Sequence, residues 1–151
     1  MASTANLGIE KLNSADYVSV DPINEAFEKI DAIAGDYVVE SGTSGEWWYT
    51  KYASGRAFCG IDSKSFGADT MSAWGSLYSG GTHTFGAYPA AVTFVSAPNA
   101  QISNLTTNWL WPCPTANQAS STVSPSFAMI SASSYTITDL RCGIFVSGRW
   151  K

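Results

Sequence analysis

The sequence contains little charge. Of its 151 residues only 13% are Asp, Glu, Lys or Arg, about half of the quarter that is usual in soluble domains. Thirty-four residues are serine or threonine, so small hydroxyl side chains take the place of charged ones. No cluster of lysines and arginines occurs, and gripping a nucleic-acid backbone requires one. We therefore expect a neutral, polar surface and no nucleic-acid partner.

Long apolar stretches are also missing. No run of about 18 apolar residues occurs, so we expect no membrane insertion. The opening residues lack the basic stretch followed by an apolar run that is typical of a secretion signal. The length suits one packed domain rather than two full ones.

Histidine and cysteine are scarce. His83 is the only histidine, and Cys59, Cys113 and Cys142 form no CxxC pair. These four residues share no short ligand spacing, so we expect neither a metal site nor a cofactor. The cysteines are predicted to be small buried hydrophobic residues; a disulfide between two of them is the alternative.

Groups that could perform catalysis are few. A serine-type nucleophile needs an oriented base, and only His83 could serve. Beyond Glu46 the acidic residues are Asp62, Asp69 and Asp139, which are too scattered to suggest a glycosidase pair. No glycine-rich phosphate loop occurs. We expect a protein that is not an enzyme.

The charge that is present is unevenly distributed. Residues 1–46 hold nine of the twelve acidic residues and have a net charge of −7, whereas residues 47–151 have a net charge of +3. Between Ser65 and Thr138 the only charged residue is Asp69. The chain therefore divides into an acidic N-terminal segment and a nearly uncharged remainder.

One helix is predicted, over residues 22–34. Asp21 can cap its N-terminus, Pro22 suits the first helical position, and Gly35 can end the helix in a left-handed conformation. Its apolar residues form one narrow stripe, and a helix this short needs packing to be stable. The stripe either packs on the chain's own β-domain or joins two or three copies as an oligomer interface. Its members are Ile23, Phe27, Ile30, Ile33 and Ala34.

From Tyr37 onward the apolar pattern has a period of two, with Gly, Ser, Pro and Asn in the gaps, which is typical of a sandwich or barrel. Two hairpins are predicted, one turning at residues 53–55 and one near Thr138–Asp139. The fold class is therefore mainly β: an N-terminal segment over 1–35 with a short helix, then an antiparallel β-sandwich over 36–151. The predicted strands are Tyr37–Glu40, Glu46–Tyr52, Arg56–Asp62, Ala73–Tyr78, His83–Tyr88, Ala91–Ser96, Gln101–Trp109, Phe127–Ser131, Tyr135–Thr138 and Leu140–Ser147.

Six tryptophans stand among Ser, Thr, Asn and Gly, a mixture suited to stacking on sugar rings and bonding to sugar hydroxyls. Most of them are expected to fill the core or a subunit interface. Trp109 and Trp111 lie where a strand enters a long loop, which is where binding sites often occur. The candidate glycan surface consists of Trp74, Tyr78, His83, Trp109 and Trp111.

Several segments carry a family resemblance. The opening MASTANLGIEKLNSADYVSVDPINEAFEKIDAI, with its Lys29-Ile30-Asp31 pattern, resembles the N-terminal attachment segment of small tail-fibre, baseplate and related virion proteins of tailed bacteriophages and prophages. GEWWYTKYASGRAFCGI is similar to their W-x-Y-x-K-W-x-S-G-x-A-E-C-W hairpin, except that Phe58 and Gly60 replace the acidic residue and the final tryptophan. YPAAVTFVSAPNAQIS resembles the strand that follows there, and GIFVSGRWK resembles their closing strand.

The resemblance implies a trimeric virion protein, assembled in the host bacterial cytoplasm, with a β-sandwich knob. Residues 1–20 are then expected to bind a tail or capsid protein, and the knob is expected to bind a host surface glycan as part of a short fibre. The alternative is a head fibre, capsid decoration or tail adaptor with a purely structural role. The resemblance carries over no set of binding residues, because the matched positions belong to the scaffold.

Overall fold

The computed structural model describes residues 21–33, 35–115 and 120–151. The chain divides into two compact units, Met1–Tyr37 and Val38–Lys151, and we call the second the β unit. The sequence-based boundary, after residue 35, lies two residues earlier. The predicted attachment arm over residues 1–20 lies outside the described residues.

The helix α1 extends over Asp21–Ile33. Gly35 follows it with φ of 65°, the left-handed conformation predicted for the end of the helix. The stripe residues Ile23, Phe27 and Ile30 are exposed, whereas the side chain of Ile33 and all of Ala34 lie outside the described residues. No helix in the described part of the chain combines the length and apolar character needed to span a bilayer.

Antiparallel pairing builds the described part of the β unit into three sheets. The largest has the strand order β1-β2-β3-β11-β7, the second has the order β5-β6-β9-β8, and β4 pairs with β10 alone. A mainly β chain with one short N-terminal helix is thus confirmed. The strands are β1 Val38–Ser44, β2 Trp47–Tyr52, β3 Arg56–Ser65, β4 Asp69–Thr70, β5 Ser72–Trp74, β6 Leu77–Thr84, β7 Asn99–Asn104, β8 Trp111–Pro114, β9 Ser126–Ser131, β10 Thr136–Ile137 and β11 Arg141–Arg149.

Of the two predicted hairpins, the first is confirmed and the second is wrong. Strands β2 and β3 pair across the turn at residues 53–55, with Lys51 opposite Ala57. Strand β10 does not pair with β11, because its partner is β4, through Thr136 opposite Thr70. Strand β11 instead lies between β3 and β7 in the five-stranded sheet.

The strand predicted over Ala91–Ser96 is also wrong. Val92 and Phe94 alternate with exposed residues and are buried, as a strand pattern requires, but the segment is a loop that pairs with no sheet strand. It is held by a turn from Val92 N–H to the Pro89 carbonyl oxygen, 2.8 Å, and by Val95 N–H to the Arg149 carbonyl oxygen, 2.9 Å. Alternation therefore predicted the burial of this segment correctly and its secondary structure incorrectly.

Other strand predictions also differ from the structure, among them the strand predicted over His83–Tyr88, of which only His83 and Thr84 lie in a strand, at the end of β6. The strand predicted over Ala73–Tyr78 is interrupted at Gly75, whose φ of 62° allows a two-residue turn between β5 and β6. The strand predicted over Gln101–Trp109 ends at Asn104. Strand β8 was not predicted, because it contains Pro112 and Pro114; it lies at a sheet edge, where a missing N–H is tolerated.

One hydrophobic core receives side chains from both larger sheets. Trp47 of β2 contacts the ring of Phe85, with centroids 6.5 Å apart, and Phe85 stacks on Phe127 of β9 at 5.6 Å. Phe127 and Met129 are fully buried. A continuous chain of aromatic contacts therefore joins residues of the two sheets.

Two of the three cysteines belong to this core. Cys59 and Cys142 are fully buried, Cys113 is half-buried, and all three are free thiols. Burial raises the pKa of Cys59 to about 12 and that of Cys142 to about 11, because an apolar environment disfavours the thiolate. The prediction of small buried hydrophobic residues is confirmed for these two.

Candidate functional site

The outward face of the four-stranded sheet carries two of the predicted tryptophans. Along β9, Phe127 and Met129 belong to the hydrophobic core, whereas Ala128 and Ile130 do not and point to the opposite face. Residues directly opposite each other on paired strands have their side chains on the same side of the sheet. The register therefore identifies the residues of β5, β6 and β8 that share this face. We call it the Trp74–Trp111 face; it consists of Ser72, Trp74, Leu77, Ser79, Thr82, Trp111, Cys113, Ala128 and Ile130.

Trp74 and Trp111 lie on the two edge strands of this sheet, β5 and β8. Their side chains are 61% and 54% exposed, which is unusual for so large an apolar group. Three strand spacings separate the edges, so the two backbones are roughly 14 Å apart. The face therefore presents two flat apolar rings with a strip of small side chains between them.

A pocket of about 250 Å³ lies on this face. Ser79 and Thr82 supply hydroxyl groups, and the Ser79 hydroxyl donates to the Gly80 carbonyl oxygen at 3.2 Å. The residues that line the pocket include no charged side chain. They are Trp74, Ser79, Gly80, Thr82, Cys113, Pro114, Thr115, Ala128 and Ile130.

A second pocket, of about 290 Å³, adjoins Trp111 and is formed by the loop after β7. Asn104 organises that loop: its Oδ1 accepts from Thr106 N–H at 2.9 Å, and its Nδ2 donates to the carbonyl oxygens of Asn108 and Leu110 at 2.9 and 3.3 Å. Leu110 is buried and anchors the loop, which leaves Trp109 77% exposed. Trp109 and Trp111 thus line one pocket.

The structure does not bring Tyr78 and His83 to this surface. Tyr78 lies opposite the buried Ser131 and packs against the core. His83 lies opposite Phe127, and its ring contacts Phe66 and Phe127 at centroid distances of 5.1 and 5.8 Å. Both residues belong to the side of the sheet that faces away from Trp74, so we leave them out of the site.

His83 has a structural partner instead. Its Nε2 lies 3.0 Å from Oδ2 of Asp69, and both side chains are largely buried. Asp69 also accepts a hydrogen bond from Gly81 N–H at 3.0 Å, and Gly80 packs against its carboxylate. The pair joins β4 to β6 and borders none of the pockets described above.

Within 21–33, 35–115 and 120–151, no three His, Cys, Asp or Glu side chains converge as a metal ion requires.

Among the pocket residues that sequence reasoning missed are Ser79, Thr82, Cys113 and Ile130. They come from three strands, and only the register places them together. A local signal existed for one of them: Cys113 stands two residues after Trp111, which on a strand puts both on the same face.

Comparisons of the chain with models of protein families, with curated protein sequences and with solved structures gave no match.

Proposed function

We propose that this protein binds a neutral saccharide on the Trp74–Trp111 face. The observation that carries the proposal is the presence of two exposed tryptophans at opposite edges of one sheet face, where Trp74 lines a pocket that has no charged side chain. Indole rings stack on the apolar faces of sugar rings, and the Ser79 and Thr82 hydroxyls are suited to bond with sugar hydroxyls. A charged ligand finds no countercharge among the pocket residues.

The biological setting we propose is a bacteriophage particle, in which the chain acts as a short fibre. Residues 1–20 attach it to a tail or capsid protein, α1 joins three copies, and the β unit presents the saccharide site to the host surface. The support is the family resemblance, the acidic N-terminal segment, and the exposed stripe of Ile23, Phe27 and Ile30. Exposed apolar side chains at this spacing need a partner to be stable in water.

We further propose that the five-stranded and four-stranded sheets pack face to face as a β-sandwich. The contacts from Trp47 through Phe85 to Phe127 support this packing, because they connect the inner residues of the two sheets. Nuclear Overhauser effects between the ring protons of these three residues are expected. If they are missing, the sandwich assignment fails.

The binding experiment is a glycan array and a whole-cell binding assay with the full chain, followed by the variants Trp74→Ala and Trp111→Ala. We expect binding of at least one neutral cell-surface glycan and a loss of at least tenfold in affinity for each variant. Val95→Ala removes an exposed apolar side chain outside the Trp74–Trp111 face and serves as the control. If wild type binds no glycan and no host cell, the purely structural virion role replaces this proposal.

The attachment role has a separate test. Deletion of residues 1–20 is expected to leave the β unit folded and to abolish incorporation of the protein into particles. Incorporation at wild-type level would remove the attachment assignment without affecting the saccharide site.

A further inference from the structure

The outward face of the five-stranded sheet carries two arginines in an unusual position. Arg56 of β3 and Arg149 of β11 lie directly opposite each other in the antiparallel ladder. Directly opposed side chains have Cβ atoms about 5 Å apart, and like charges at this distance repel. Both arginines are exposed and lie on the same side of the sheet as Phe58 and Ser147.

No Asp or Glu side chain in the described part of the β unit pairs with these two arginines. Its five acidic residues all have other partners. Glu40 binds Lys51, Glu46 binds Lys64, and Asp139 binds Arg141, each at 2.6 to 2.7 Å. Asp62 accepts a hydrogen bond from the Trp48 indole N–H at 2.8 Å. Asp69 contacts His83 Nε2 at 3.0 Å. Arg56 and Arg149 therefore form a concentration of positive charge with no Asp or Glu side chain of the described residues paired to it.

Both guanidinium groups are oriented by their neighbours. Arg149 donates to the carbonyl oxygen of Ser54 and to the terminal main-chain oxygen of Lys151, each at 3.3 Å, which uses two of its five N–H donors. The guanidinium of Arg56 lies over the ring of Phe58, with 6.0 Å to the centroid. Less side-chain entropy is lost on binding when the donors are already held in place.

A concavity of about 390 Å³ lies at this point of the surface, lined by Arg56, Phe58, Ser147, Gly148 and Arg149. Phe58 continues into an aromatic strip, since it stacks on Phe145 at 5.6 Å and Phe145 contacts Trp48 at 6.0 Å. Phe145 is 43% exposed. The site thus combines two guanidinium groups, a hydroxyl group and an apolar aromatic surface.

We propose that this concavity is an anion site for an acidic saccharide, with Arg56 and Arg149 binding a carboxylate or phosphate substituent and the strip Phe58–Phe145 contacting the sugar ring. Guanidinium groups bind both oxyanions through paired N–H donors, and these charge-assisted bonds are the strong ones. The site is separate from the Trp74–Trp111 face, lies on the other large sheet, and takes a ligand of different charge.

Isothermal titration of the full chain with three probes tests the proposal: trigalacturonate, its neutral methyl ester, and mannotriose phosphorylated at one primary hydroxyl. We expect at least one anionic probe to bind at least tenfold more tightly than the ester. The stronger of the two identifies the oxyanion as carboxylate or phosphate. Equal affinity for the ester, or no binding of either anionic probe, would overturn the proposal.

Two variants, each of which removes one positive charge, locate the site. Arg56→Gln is expected to weaken binding of the anionic probe at least tenfold, whereas Arg141→Gln, which removes a cation already paired with Asp139, is expected to change it less than twofold. Equal weakening by both would indicate general charge attraction and would contradict the proposal. Circular dichroism confirms that each variant is folded, and neutral-glycan binding at the Trp74–Trp111 face is expected to be the same in both.

Discussion

Trp74 on β5 and Trp111 on β8 occupy opposite edges of the four-stranded sheet and project from the same face of it. The pairs Ser72–Ser79, Ser79–Ile130 and Ile130–Trp111 connect the two edges in register. Two aromatic rings held on a rigid sheet lose little conformational entropy when a ligand binds, which favours binding by stacking.

The first prediction concerns how the two rings share the ligand. If one extended saccharide contacts both, the affinity losses of Trp74→Ala and Trp111→Ala each amount to about 1.4 kcal/mol or more, which is tenfold. A ligand too short to span the roughly 14 Å between edge strands would depend on only one ring. Titrations with saccharides of one to five units distinguish the two cases, because only longer ones should lose affinity in both variants.

The second prediction concerns the Asp69–His83 pair. A Cβ at Gly80 would lie 2.2 Å from Oδ2 of Asp69, and that carboxylate cannot move without losing its contacts to His83 and Gly81 N–H. Gly80→Ala is therefore expected to lower the free energy of unfolding by about 2 kcal/mol or more. Urea denaturation measures it.

Gly81→Ala is the matched control for that experiment. A Cβ there meets its nearest atom, Oδ1 of Asp69, at 3.5 Å, which is ordinary contact. Its free energy of unfolding is expected to stay within about 1 kcal/mol of wild type. Equal destabilisation by both substitutions would mean that Asp69 is not fixed as described.

The third prediction is a loss of stability at alkaline pH. The thiol of Cys59 has a pKa of 9.0 in the unfolded chain and about 12 in the folded protein. Between these values the unfolded state releases a proton that the folded state keeps, so stability is full below pH 9 and falls as the pH rises toward 12. Urea midpoints measured from pH 8 to pH 11 should therefore decrease.

The cysteine variants identify the source of that decrease. Cys59→Ala removes one buried thiol and is expected to make the fall in stability above pH 9 shallower, even though its stability at pH 8 is lower. The fall that remains is expected from Cys142 and Tyr88, whose pKa values burial also raises. Cys113→Ala keeps both buried thiols and should retain the wild-type slope. A slope unchanged in Cys59→Ala would exclude this thiol as the cause.

The fourth prediction concerns oligomerisation by α1. Phe27 is 61% exposed at the centre of the stripe, so burying it among copies removes a large apolar surface from water. Light scattering of the full chain is expected to give three times the 16.1 kDa chain mass, and Phe27→Asp is expected to give monomers. Glu28→Gln, on the same helix but outside the stripe, should remain trimeric. A monomeric wild type at micromolar concentration would refute the assignment.

Patterns within one element could be predicted from the sequence, whereas pairings between distant elements could not. Gly35 ends α1 as its conformational freedom suggested, and the turn at residues 53–55 joins β2 to β3. The partner of β10 is β4, more than sixty residues earlier, and no local pattern indicates it. The alternating pattern around Val92 and Phe94 correctly indicated that both are buried, but a loop that packs over the core produces the same pattern as a strand.

The candidate site could also be predicted only in part from the sequence. Trp74, Trp109 and Trp111 were identified from their surroundings, and all three are exposed. His83 and Tyr78 were placed with them on residue type and proximity, yet the side of the sheet on which each lies depends on the register of β6 with β9. The bulge between Ser79 and Thr82 changes that register, and nothing in the Gly80–Gly81 pair specifies how.

The most direct measurement of the saccharide site is a titration of the tryptophan indole N–H signals by nuclear magnetic resonance, with the six signals assigned by substitution. The titrant is a neutral glycan that scores in the array. Binding at the proposed face predicts shifts of the Trp74 and Trp111 signals, with Trp47, Trp48 and Trp150 unchanged. Shifts confined to Trp48 or Trp109, or no shift of any signal at saturating glycan, would contradict it.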